Sequence, residues 1–246
     1  MKTIVLMLST LSLLIYSCTK PTETYLGEWD NFQQVWLEKT DSDLHRVSTV
    51  NAHRHFHISI QPKSNKQDIL EVIIREGRNG KRFVEKLTFS KKEIKNSKNF
   101  TVLGDTLFVK GQAPFVHKQP YKLIRSRYFN GWLQYPLQQF KDSTYIKRNL
   151  QIHDQGGMAQ LNAEGVNYTV ELTQLIYGKQ INLMKIAVYN IPMDSVTINS
   201  KSISYAWASP NAKRLGINLR NIVTGWTLIE PHYINSNTIA KKSEKK

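Results

Sequence analysis

Val166-Asn167-Tyr168-Thr169-Val170-Glu171-Leu172-Thr173 alternates apolar and polar side chains without a break. Successive side chains of a strand point to opposite faces, so this octet reads as a strand with one buried face and one polar face. The same period of two recurs along the chain. Phe56, Ile58 and Ile60 alternate with His55, His57 and Ser59. Leu70–Arg75 and Lys81–Phe89 flank Glu76-Gly77-Arg78-Asn79-Gly80, where Asn79-Gly80 is expected to supply the positive-φ pair of a hairpin turn. Gly104 and Asp105 join Thr101–Leu103 to Leu107–Val109, and further turns are expected at Asp154–Gly157, Glu164-Gly165 and Tyr177–Lys179. Helical patterning is confined to Phe32–Leu37 and Pro136–Phe140. Short strands at this spacing predict an all-β chain of antiparallel sheets that close into barrels or sandwiches.

Two stretches of the chain open alike. Tyr25-Leu26-Gly27-Glu28-Trp29 and Tyr128-Phe129-Asn130-Gly131-Trp132 are each followed by a helical candidate and a series of strands. The two series close on Pro120-Tyr121-Lys122-Leu123-Ile124 and on Gly225-Trp226-Thr227-Leu228-Ile229. The openings lie about a hundred residues apart, the size of a small β-domain. The expected organisation is two tandem small barrels or sandwiches, residues 25–125 and 128–231. The alternative is one large curved sheet, like the half-barrels of lipoprotein carriers. Gly27-Glu28-Trp29 resembles the Gly-X-Trp motif on the first strand of the lipocalin superfamily, whereas Asn130-Gly131-Trp132 lacks the spacer. The resemblance implies a barrel closed at one end by its Trp. The interior either takes a small apolar ligand or is filled by the protein's own side chains.

The N-terminus carries an address. Lys2 supplies a positive charge, Ile4–Ile15 is an apolar run broken by small hydroxyl residues, and Ile15-Tyr16-Ser17-Cys18 closes it. That is the layout of a secretory signal, too short to span a bilayer, which takes about 20 apolar residues. Because it ends on the chain's single cysteine, the segment 1–17 with Cys18 resembles the signal of bacterial lipoproteins. The resemblance implies a lipidated Cys18 as mature N-terminus, a short tether through residue 24, and a place in the cell envelope. Thr19 in place of an acidic residue favours the outer membrane. Residues 235–246 are polar, end in Lys-Lys-Ser-Glu-Lys-Lys, and read as a disordered basic tail.

Charge and composition narrow the partners. A content of 40% hydrophobic and 10% aromatic residues supports a packed core. The net charge of +15 would suggest nucleic acid, but the basic residues are scattered and the address lies outside the cytoplasm. The expected partners are therefore the membrane, through the lipid anchor, and an anionic envelope polymer or protein, with no nucleic acid.

No cofactor or catalytic residue is identifiable. Nucleophile elbow, phosphate loop and zinc-protease helix are all missing from the sequence. Glu28, Asp30, Glu71 and Glu85 are the carboxylates of most interest. The one ligand-like run is His53-Arg54-His55-Phe56-His57, whose imidazoles fall on one strand face. His55 and His57 are its candidate metal ligands, since alternate imidazoles suit zinc or copper. Trp29, Trp132, Tyr205 and Trp207 are the candidate ligand-binding aromatics. The favoured reading is a non-enzymatic envelope binding or scaffold lipoprotein, recognising a small ligand or another envelope component. The rival is a metal-dependent enzyme or metal-binding protein using the histidine strand.

Overall fold

The computed structural model describes residues 24–45, 53–136, 144–163, 165–177, 181–197, 199–219 and 222–229. Cys18, the tail 235–246 and residues 137–140 of the second helical candidate lie outside them. The fold is all-β, as the period of two predicts. Among the described residues every strand pairing is antiparallel.

Seven strands make the first sheet: β1 (Gly27–Asp30), β2 (Phe56–Lys63), β3 (Lys66–Glu76), β4 (Arg82–Ser90), β5 (Phe100–Leu103), β6 (Thr106–Val109) and β7 (Tyr121–Arg125). Their order is β4-β3-β2-β1-β7-β6-β5, so the last strand returns to the first and chain neighbours pair, except β4 and β5, which take the two ends of the sheet. Helix α1 (Phe32–His45) follows β1. Helix α2 (Lys91–Lys95) links β4 to β5, starts on a reciprocal Ser90–Glu93 capping box, and buries Ile94.

The remaining strands are β8 (Tyr128–Pro136), β9 (Thr144–His153), β10 (Gln155–Ala163), β11 (Val166–Tyr177), β12 (Ile181–Tyr189), β13 (Ser204–Ala208), β14 (Arg214–Leu219) and β15 (Ile222–Leu228). They form two four-stranded sheets, β10-β11-β12-β13 and β14-β15-β8-β9. Here too the closing strand pairs with the opening one, β15 with β8. The two aromatic-Gly-Trp openings thus occupy equivalent places, each between the next strand and the closing strand of its series.

Alternation sets the cores. Phe56, Ile58, Ile60, Leu70, Val72 and Ile74 pack with Leu107, Val109, Phe115 and Leu123 in one cluster. Phe129, Leu133, Val170, Leu172, Ile186, Val188, Ile217 and Trp226 pack in another. Each such side chain contributes about 1.5–3 kcal/mol on full burial. Across β8 and β15, Gly131 faces Trp226 and Trp132 faces Gly225. A Cβ on Gly131 would overlap the Trp226 ring, and one on Gly225 would come within 2.9 Å of the Trp132 ring. Each indole therefore lies over the glycine of the opposite strand, which only a residue without a side chain allows.

Several local expectations are corrected. The β3–β4 connection takes its positive φ at Gly77 (85°) and Gly80 (58°), with Asn79 inside a 3-10 turn. The hairpin is longer than a two-residue turn, and a bulge between Ile74 and Arg75 shifts its register. Asp154–Gly157 is not an open turn: β10 already begins at Gln155, with a bulge and a positive φ at Gly156. Helix α1 runs to His45, well past Leu37, through a stretch whose sequence is too polar to show an amphipathic stripe. Pro136 ends a strand instead of starting a helix.

Candidate functional site

The site begins with the alternation of β1. Trp29 turns into the core, which places Glu28 and Asp30 on the other face. Register then sets Glu28 opposite Ser59 and Asp30 opposite His57 on β2. Asp30 is fully buried. Its Oδ1 accepts the backbone N–H of Phe32 at 2.6 Å and lies 2.7 Å from His55 Nε2. Its Oδ2 lies 3.3 Å from His57 Nδ1, while His57 Nε2 lies 2.8 Å from Glu28 Oε2. Ser59 donates its hydroxyl to the other Glu28 oxygen at 2.7 Å. Both ring nitrogens of His57 thus face carboxylates, which a doubly protonated imidazole satisfies.

These contacts decide the charge states. Burial opposes ionisation of Asp30, but the charge and hydrogen bonds of His55 and His57 outweigh it and hold the carboxyl far below the usual range. Burial likewise opposes the charged form of His57, and hydrogen bonds to Asp30 and Glu28 reverse it, raising its pKa to about 9.

His153, the last residue of β9, reaches the same place from the other core. Its ring centroid lies 5.7 Å from that of His57 and 5.6 Å from that of Tyr128. It is buried, and its Nδ1 has no hydrogen-bond partner. Burial lowers its pKa to about 4, so this imidazole is neutral. One ligand atom each from Asp30, His57 and His153 lies within 4.8 Å of the others. Gly157 lets the chain pack closely here, because a Cβ there would overlap the His153 backbone at 2.3–2.5 Å and come within 2.9 Å of its ring.

Around this junction the two strand series meet through polar contacts. Arg78, at the tip of the β3–β4 hairpin, pairs with buried Glu171 and donates to the Val196 carbonyl at 3.2 Å. Tyr189 donates its hydroxyl to the second Glu171 oxygen at 2.6 Å. Arg127 Nε donates to the fully buried Asp154 at 2.6 Å. Phe32 covers Gly156, where a Cβ would come within 2.6 Å of its ring.

The candidate residues from the sequence divide between several places. His57 belongs to the Asp30 group. His55 is outside the metal-ligand set and instead steadies Asp30. His53 points elsewhere: it precedes β2, bonds Glu38, and stacks on His117 with centroids 3.8 Å apart. Trp29 is fully buried, bonds the Tyr25 carbonyl through Nε1 and lies under Arg125, so it is a packing residue with no surface for a ligand. Trp132 is 37% exposed over Gly225. Tyr205 and Trp207 stand together on β13, the end strand of its sheet, with centroids 6.1 Å apart. Lys185 Nζ lies 5.3 Å from the first ring and 5.8 Å from the second.

His153 was not among the sequence candidates. A lone histidine before Asp-Gln-Gly-Gly gives no periodic signal, and its meeting with Asp30 depends on how two strand series pack. Among the described residues, no helix is long and apolar enough to cross a membrane. No family model, curated protein or solved structure matches the chain.

Proposed function

We propose that this chain is a lipid-anchored envelope protein without catalytic chemistry, which captures another envelope component on the Tyr205–Trp207 face. The anchor rests on the N-terminal sequence, the positive residue Lys2, the apolar run and the terminal Cys18. The capture rests on one observation: Tyr205 is 57% and Trp207 49% exposed, side by side on an end strand. Adjacent exposed aromatics make a contiguous apolar patch, and such patches mark interaction surfaces. Lys185 adds a cation over both rings, and the chain as a whole carries +15. Aromatic faces stack on sugar rings and the ammonium draws an acid, so the preferred partner is an acidic envelope saccharide. The lipocalin-like part of the reading draws on Gly27-Glu28-Trp29 opening a meander whose last strand returns to its first.

A titration tests this reading. Oligosaccharides from lipopolysaccharide core, added to the full chain in detergent, should quench tryptophan fluorescence. Trp207→Ala and Lys185→Ala should each lose most of the affinity. Unchanged binding in both variants, or none in the parent, contradicts it. A second reading, a metal-binding protein, draws on the approach of His153 and His57 to Asp30.

A further inference from the structure

We infer that Asp30, His57 and His153 form a binding site for a divalent transition-metal ion of the zinc class, set where the two strand series meet. Two imidazoles and a carboxylate are a donor set suited to such an ion, with no thiolate required. The spacing is close to what coordination needs. Ligand atoms at about 2.0–2.2 Å from a tetrahedral ion stand roughly 3.3–3.6 Å apart. Asp30 Oδ2 and His57 Nδ1 are already 3.3 Å apart, and one donor atom from each of Asp30, His57 and His153 lies within 4.8 Å of the other two.

Three further observations point to a ligand at this place. The Nδ1 of His153 is buried and has no hydrogen-bond partner, although buried polar atoms in proteins are nearly always paired. The remaining nitrogen of His57 is held by Glu28 at 2.8 Å, the carboxylate–histidine arrangement that orients a ligating imidazole. Asp30 is itself braced by His55 and by the Phe32 N–H. Asp30 and Glu28 also supply two negative charges against a divalent cation. On binding, a metal–nitrogen bond forms at His57 Nδ1, and the proton shared there with Asp30 leaves to solvent. Because Asp30 and His57 come from β1 and β2 while His153 comes from β9, an ion here would tie the two strand series together.

The test uses the full chain, stripped with chelator and titrated with Co²⁺ and then Zn²⁺. We expect one Co²⁺ per chain with tetrahedral d–d absorption, displaced by Zn²⁺. His153→Phe keeps a ring in the packed position and should abolish that spectrum. Glu28→Gln should weaken binding about 10–100-fold while leaving the ligands in place, and His117→Ala should change nothing. Should His153→Phe fail to fold, ¹⁵N-labelled histidine spectra of the parent decide the matter. Zinc should then move the ring-nitrogen resonances of His57 and His153. Absence of a bound ion, undiminished binding in folded His153→Phe, or zinc shifts confined to other histidines would overturn the inference.

Discussion

At the scale of single residues, the account turns on what each side chain excludes. Gly131 leaves room for Trp226, and the hydrogen atom it carries in place of a Cβ is the reason β8 and β15 can pair closely. Gly131→Ala should therefore destabilise the protein by about 1–3 kcal/mol, the usual cost of overpacking. Urea titration of parent and variant measures it, and an unchanged midpoint would count against the Gly–Trp packing. The buried histidines predict a stability optimum for the metal-free chain. The unfolded chain protonates His153 below about 6.5, whereas the folded chain does so only below about 4. Stability should thus fall as pH drops through that window. His57 behaves oppositely: it holds its proton in the folded state up to about 9, so stability falls as pH rises from 6.5 to 9. Thermal melts of chelator-treated protein should peak near neutral pH, and a flat profile from pH 5 to 9 would refute both assignments. The sequence drew attention to His57, Glu28 and Asp30 separately. Their convergence was hidden because it depends on the β1–β2 register, and His153 was hidden because it arrives from a distant strand.

At the scale of elements, the period-two segments were readable because each strand packs one face on a core. Phe56–Ile60 and Val166–Thr173 are strands as the alternation predicts, in β2 and β11, but their polar faces are buried as well, at His57, Ser59, Thr169, Glu171 and Thr173. What escaped were the elements without a periodic signal. Helix α1 continues through Glu38-Lys39-Thr40-Asp41-Ser42-Asp43, a polar tract that no amphipathic stripe marks. The β3–β4 connection keeps the expected positive φ at Gly80 but takes the other at Gly77, with Asn79 inside a 3-10 turn. That hairpin then places Arg78 against Glu171 and Tyr189. Removing one partner of a buried ion pair costs about 3–5 kcal/mol because the other charge is left uncompensated. Arg78→Ala should lower thermal stability by this order, and Glu171→Gln with Arg78→Ala should lose less than the sum of the single changes. Simple additivity in the double-mutant cycle would mean that the two do not interact.

At the scale of the whole molecule, the structure arranges two strand series, the first with one apolar cluster and the second with two among the described residues, and joins them by charged and polar groups. The joint is pinned at several points. Ser126 N–H donates to the Glu28 carbonyl at 2.8 Å, and Arg127 binds Asp154. Arg125 lies over Trp29 at 4.2 Å. Among the described basic residues, trypsin should accordingly cut after exposed Lys110 or Lys118 before it cuts after Arg125 or Arg127. Mass mapping of early fragments checks this, and first cuts at the 125–127 joint would show it to be open. The functional proposal hangs on where the molecule is held, since a saccharide-capturing face matters only if it is tethered beside its partner. The most direct measurement is the mass of the N-terminal peptide from protein extracted out of membranes. It should begin at Cys18 and carry acyl chains, and Cys18→Ala should leave an unmodified precursor that no longer fractionates with membranes. An unacylated N-terminus in the parent, with membrane fractionation unchanged in the variant, would contradict the account.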